Sequence, residues 1–180
     1  MRLLVHPDST AGPVRVLTAS AGYGPDGALE LGWRLEGDPG RLRLPAPAAP
    51  TQATSLWEHT CFEAFIADPH STGYVELNFS PSGAWAVYGF RGYRDGGTPL
   101  PLRHDPVAAW RHEADALILD ARFRMDGLPG PPGPRPRIAL RLAMAAVIED
   151  AQGVLSWWAL RHPAGKPDFH HADGFVLDVA

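Results

Sequence analysis

The chain has 180 residues, 45% of them hydrophobic and 20% charged, the balance of an ordinary globular protein with enough length for one domain, taken as residues 1–180, and a sizeable core. A formal net charge of −4, without any cluster of Lys or Arg, argues against a nucleic-acid partner, which favours a basic footprint. A single cysteine, Cys61, excludes an internal disulfide, and no apolar run approaches the length of a membrane span.

The first residues, Met1-Arg-Leu-Leu-Val-His-Pro7, carry no apolar segment of signal-peptide length, so the location expected is cytoplasmic. The richness in Ala, Pro, Gly and Arg fits a bacterial origin. Nineteen Gly and nineteen Pro cut the chain into short pieces, and long amphipathic helical patterns are absent. Short alternating runs between turn signals predict an all-β fold, an antiparallel β-sandwich. In chain order, strands are predicted over 14–21, 28–35, 41–44, 61–67, 74–80 and 84–90. The second half adds 110–113, 116–125, 137–144, 155–161 and 175–179. Leu117, Leu119, Ala121 and Phe123 alternate with Ile118, Asp120, Arg122 and Arg124, as a strand with one buried face does. Ile138, Leu140, Leu142 and Met144 alternate with Ala139, Arg141 and Ala143 in the same way. Pro45–Pro50 reads as an extended loop and Gly127–Pro136 as a surface excursion. Ala143–Val147 carries a weak signal for a short helix.

The richest segments are Leu56-Trp-Glu-His-Thr-Cys-Phe-Glu-Ala-Phe-Ile-Ala-Asp68 and Tyr74-Val-Glu-Leu-Asn-Phe-Ser-Pro-Ser-Gly-Ala-Trp85. Alternation puts Phe62, Ala64 and Ile66 on an apolar face, with Cys61 and Glu63 opposite. In the next strand Val75, Leu77 and Phe79 are apolar, with Tyr74, Glu76 and Asn78 opposite. Ser80-Pro-Ser-Gly83 is a hairpin turn. If that turn is symmetric, Asn78 pairs with Trp85, which joins the polar face; a slip of one residue sends Trp85 to the core. The shared face is then either a site or a solvated outer surface. As a site it suits a saccharide, because rings stack on the C–H faces of a pyranose and carboxylates and amides bond its hydroxyls.

These segments resemble the Trp-Glu-Asp-Asp-x-Val-Glu-Val-Phe-Ile and Tyr-Tyr-Glu-Phe-x-x-Asn-Pro-x-Gly-x-Trp stretches of carbohydrate-binding module family 9, within the DOMON-like superfamily. Leu31-Gly-Trp-Arg-Leu-Glu-Gly37 and Lys166-Pro-Asp-Phe-His-His-Ala-Asp-Gly-Phe175 are similar to segments of stand-alone bacterial DOMON-like proteins of unassigned function. The resemblance covers about residues 12–180. It implies a jelly-roll β-sandwich that binds sugars or haem. It brings Trp57 and Glu58 to the site beside Glu63, Glu76, Asn78 and Trp85, and asks for a second stacking ring from Trp157 or Trp158, of which Trp158 is included. His59-Thr60 departs from the acidic pair that family 9 modules commonly have there.

The loop Arg161–Asp173 holds three histidines. Asp168, His170, His171 and Asp173 are candidate ligands for a divalent metal. Against that, adjacent histidines on an extended chain point to opposite sides, and Lys166 repels a cation. Ligand contacts by Arg161, Lys166 and His170 at the end of the sandwich are the other reading. Haem needs axial ligands such as His or Met, but Met125 and Met144 read as strand residues, Met144 on a core face, and no Cys-x-x-Cys-His is present. Glu63 and Glu76 are a conceivable acid pair for glycoside hydrolysis, although facing carboxylates are equally a hydroxyl or cation site. The sequence thus points to a non-catalytic module for a saccharide or related small polar ligand, with no cofactor. A haem- or metal-binding redox module and a structural or protein-partner-binding domain are the alternatives. Nothing in the sequence fixes the oligomeric state.

Overall fold

The structure, a computed structural model, describes residues 1–130 and 137–180. Among the described residues thirteen strands run in chain order as β1 (Arg2–Val5), β2 (Val14–Tyr23), β3 (Leu29–Gly37), β4 (Thr51–Gln52), β5 (Cys61–Ala67), β6 (Tyr74–Phe79) and β7 (Ala84–Gly92). They continue as β8 (Asp95–Pro99), β9 (Val107–His112), β10 (Ala116–Phe123), β11 (Leu140–Glu149), β12 (Leu155–Ala159) and β13 (Leu177–Val179). Short 3₁₀ turns are the only helical pieces among the described residues. Strands β1-β2-β3-β10-β9 form one sheet and β4-β7-β6-β5-β11-β12-β1 the other, with β8 beside β7 and β13 beside β11. Every pairing is antiparallel except β4 with β7. The fold is the expected β-sandwich, curled so that β1 belongs to both sheets.

The two sheets differ in how their faces are used, and sequence explains the difference. In β3, Leu29, Leu31, Trp33 and Leu35 are buried while Glu30, Arg34 and Glu36 turn outward. That alternation is what one covered face requires. Strands β5, β6 and β11 are instead buried on nearly every residue. Their inner residues, among them Phe62, Leu77, Phe79 and Met144, meet Trp33 and Leu119 in the main core. The Trp33 ring lies 6.2 Å from Phe62 and 6.1 Å from Phe79. Their outer residues Phe65, Tyr74, Ala143 and Ala145 form a second apolar cluster with Ala159 of β12 and with Phe175, which comes down from the covering segment 160–176. A site can form on that outer face because the covering layer is incomplete.

Several expectations change. Residues 41–44 form no strand, and only Leu42 bridges to Asp150. Ala143–Val147 is strand, not helix, because β11 pairs with β5 on one edge and β12 on the other through those residues; two ladders override weak helical propensity. The excursion expected at Gly127–Pro136 is part core, since Gly127 and Leu128 are buried; its residues 131–136 lie outside the described residues. Ile138 is exposed, at the end of the alternation that buries Leu140, Leu142 and Met144.

Candidate functional site

A cavity of about 380 Å³ opens on the outer face of β5, β6, β7, β11 and β12. Glu63 and Glu76 lie at its floor, and Tyr88, Phe90, Val147 and Trp157 continue the sheet side of its lining. Trp57, Arg94, Pro167, Phe169 and His170 come from the loops above. Register explains the floor. Glu63 pairs with Asn78 on one side and Ala145 on the other, and Glu76 with Tyr88. The small side chains Ala143, Ala145 and Ala159 on the same face leave the space.

The floor carries two buried carboxyls. Glu63 and Glu76 are only 3% and 5% exposed, and on one face they are diagonal neighbours about 7–8 Å apart. Asn78 Nδ2 donates to Glu76 Oε1 at 2.7 Å, and Cys61 Sγ reaches Asn78 Oδ1 at 3.6 Å. Glu63 Oε1 is buried without a hydrogen-bond partner. Burial, then the nearby Glu76, pushes the Glu63 carboxyl well above the usual range. Burial also raises Glu76, against the Asn78 hydrogen bond and the Arg94 charge. Burial and the Glu63 charge raise the Cys61 thiol, which is not a thiolate nucleophile.

The rim is fastened by polar bonds. Asp168 takes the Arg94 guanidinium at 2.8 Å and the Tyr93 hydroxyl at 2.6 Å, and these bonds hold its carboxyl low despite burial. The Arg94 amide donates to the Tyr74 oxygen, and His170 Nδ1 lies 2.8 Å from the same hydroxyl. Burial and the Arg94 charge lower His170 to about 4, so its ring is neutral at pH 7. The Trp57 turn is tied down by its neighbours: His59 Nδ1 meets Glu149 Oε2 at 2.7 Å, and the Thr60 hydroxyl bonds the Arg43 carbonyl and the Glu149 amide. The two described non-glycine residues with positive φ, Ser55 (57°) and Arg94 (53°), flank the cavity loops. Such strained positions gather at functional sites.

Of the expected site residues, Trp57, Glu63, Glu76 and His170 line this cavity. Asn78 is fully buried behind Glu76 and supports it. Tyr74 sits at the side, stacked on Phe90 at 4.6 Å, with its hydroxyl on His170. Trp85 is a correction. It pairs with Phe79 and lies in the main core, 4% exposed. The hairpin closes with Ser80 N–H on the Ala84 carbonyl and Gly83 at φ +94°, a three-residue turn with a left-handed third position, which slips the register by one. Trp158 is a second correction: it pairs with Ala146, is 3% exposed in the core and donates its indole N–H to Ser156. The adjacent Trp157 faces the cavity. Arg161 is exposed and does not line it, and Lys166 borders an adjoining groove that shares Arg94 and Pro167 with the cavity and is completed by Tyr93, Asp168, His171 and Asp173. Among the described residues no three His, Cys, Asp or Glu side chains are grouped to hold a metal. Asp168 and His170 bond Arg94 and Tyr74, while His171 Nδ1 accepts from the Asp173 amide.

Tyr88, Phe90, Arg94, Val147 and Phe169 were missed. The alternation Ala86, Tyr88, Phe90 carried the signal for two of them. Arg94 could not be found, because its hairpin between β7 and β8 lies in the unpatterned Arg-Asp-Gly-Gly stretch.

No family model matches the chain, and no curated protein does. Among solved structures, a Bacteroides uniformis protein described as a "putative carbohydrate-binding protein" superposes with a TM-score of 0.66 at 12% identity, over 99% of this chain and 84% of that one. A family 9 carbohydrate-binding module from Caldicellulosiruptor kristjanssonii, solved with cellotriose, gives 0.57 at 10% identity over 99% and 79%. A family 9 module from the same organism, solved with glucose, gives 0.52 at 10% over 91% and 75%. At such identities the likeness is one of fold, and it identifies this chain as a β-sandwich of the kind those modules use.

Proposed function

We propose that the protein is a non-catalytic module that binds a saccharide, or a related small polar ligand, in the cavity between Trp57 and Trp157. The observation that carries this reading is the lining: aromatic rings on the walls with two buried carboxyls at the floor. Rings gain by covering the C–H faces of a sugar, and carboxyls bond its hydroxyls. A volume near 380 Å³ is at the small end for ligand pockets, which suits one or two sugar rings. The fold shared with modules solved with glucose and cellotriose supports the same class of ligand. Placement in the DOMON-like superfamily, with residues 1–180 acting as one module, is part of this reading.

Thermal unfolding with glucose, cellobiose and cellotriose tests it. A ligand at 100 times its dissociation constant adds about 2.7 kcal/mol of stability, a clear rise in the midpoint. Trp157→Ala and Trp57→Ala should each weaken binding by about tenfold or more, the scale of a lost aromatic contact. If no saccharide raises the midpoint, the reading is wrong.

A further inference from the structure

We infer that the cavity floor is a subsite for a cationic amine, so that the module prefers an amino sugar with a free ammonium group to its neutral counterpart. The inference rests on the saccharide reading above and adds the charge of the ligand.

Two acceptor oxygens on the floor lack a donor of their own. Glu63 Oε1 is buried and unpartnered. Glu76 gives Oε1 to Asn78, and its Oε2 has His170 Nε2 only at 3.8 Å, beyond hydrogen-bond range. Among the described residues the one cation that lines the cavity is Arg94, whose charge reaches Glu76 without a hydrogen bond to either floor carboxyl. Its guanidinium bonds Asp168, and His170 is neutral at pH 7. The other titratable groups near the pair are Cys61, Tyr74 and Tyr88, none of which is positive. From β11 and β12 only Val147 and Trp157 line the cavity.

A sugar hydroxyl brings one donor and no charge. An ammonium brings three donors and a full positive charge, and charge-assisted bonds are about twice as strong as neutral ones. The rings of Trp57, Tyr88 and Trp157 line the same cavity, and an aromatic ring attracts a cation that reaches its face. In the empty cavity, burial and mutual repulsion oppose charge on both carboxyls; an ammonium between them removes that opposition. The acetylated amine loses the charge and two of the donors but is bulkier, so the hydroxyl of glucose is the neutral control of matching size.

Calorimetric titration of the full chain with glucose, glucosamine and N-acetylglucosamine at pH 6.5 decides the matter. Glucosamine should bind about tenfold or more tightly than either neutral sugar. The preference should collapse to near equality in Glu63→Gln, which keeps shape and loses the charge. Glu76→Gln is the second variant, and the wild-type ratio stands even if one variant fails to fold. If glucose binds as well as glucosamine, the amine subsite is wrong and the saccharide reading survives. If glucosamine is preferred but both variants keep the preference, the amine lies elsewhere and the assignment to this floor is overturned. If none of the three sugars binds, the parent reading fails and takes this inference with it.

Discussion

Glu63 is the residue at which stability and site part company. A buried carboxyl oxygen without a partner costs about 1–3 kcal/mol, and nothing in the fold offsets that cost at Glu63 Oε1. Its folded-state carboxyl is raised above the ordinary value of 4.5. The missing bond costs the same at any pH, but a second cost, of holding the proton while the unfolded chain loses it, is absent at low pH and grows as pH rises above about 4.5. Glu63→Gln should raise the unfolding free energy by about 1–3 kcal/mol at pH 7, with little gain at pH 4, as urea titrations at the two pH values will read. An equal gain at both would mean that packing, not the proton, is responsible. His170 adds the opposite slope. Its folded value near 4 lies below the ordinary 6.5, so the neutral ring favours the fold above that range and the contribution is lost as pH falls from 6.5 towards 4. The two windows overlap between about 4.5 and 6.5, where the slopes oppose each other, so this pair gives a plateau there with stability falling on the acid side through His170 and on the alkaline side through Glu63.

At the scale of the element, the strands that frame the site were legible and their registers were not. Cys61–Ala67 has the bounds that alternation predicts, and Tyr74–Phe79 ends one residue earlier. The placement of Glu63 and Glu76 on one face follows from those strands alone. Trp85 and Trp158 were misplaced because a period of two fixes faces only once the register is known, and register depends on the turn. The positive φ of Gly83 sets the first; pairing across β11 sets the second. Strand β1 and the hairpin to β8 escaped because Arg2–Val5 is short and Asp95–Pro99 contains two glycines, so pattern had nothing to work on. The register assignment is itself testable with two tryptophans. Trp85→Ala should cost about 3–5 kcal/mol of stability, as truncation of a core aromatic does, and leave ligand affinity nearly unchanged in the fraction that folds. Trp157→Ala should do the reverse. If Trp85→Ala is mild and abolishes binding, the hairpin pairs in the symmetric register after all.

The whole molecule has two apolar layers with different dependence on the sheet framework. The main core lies between the sheets, and among the described strands β1 is the one that pairs into both: Leu4 and Val5 pair with β12, and Arg2 and Leu3 with β2. Leu3 is fully buried in that core. The second layer, beneath residues 160–176, is held down by Phe65, Tyr74 and Phe175 and by polar ties, chiefly Asp168 to Arg94 and Tyr93 and Arg141 to the Phe175 carbonyl. Damage to the first layer must reach the second, since the site stands on its strands, whereas damage to the second need not reach the first. Leu3→Ala should therefore lower global stability by about 2–5 kcal/mol and shorten amide-exchange protection in both sheets. Asp168→Ala frees a partly exposed ion pair, worth about 1 kcal/mol or less. Its effect should be confined to faster exchange over residues 160–176 and weaker ligand binding, with β2, β3 and β10 unchanged. Protection lost in β3 of the Asp168 variant would show that the two layers open as one, and that the cavity cannot loosen without the sandwich.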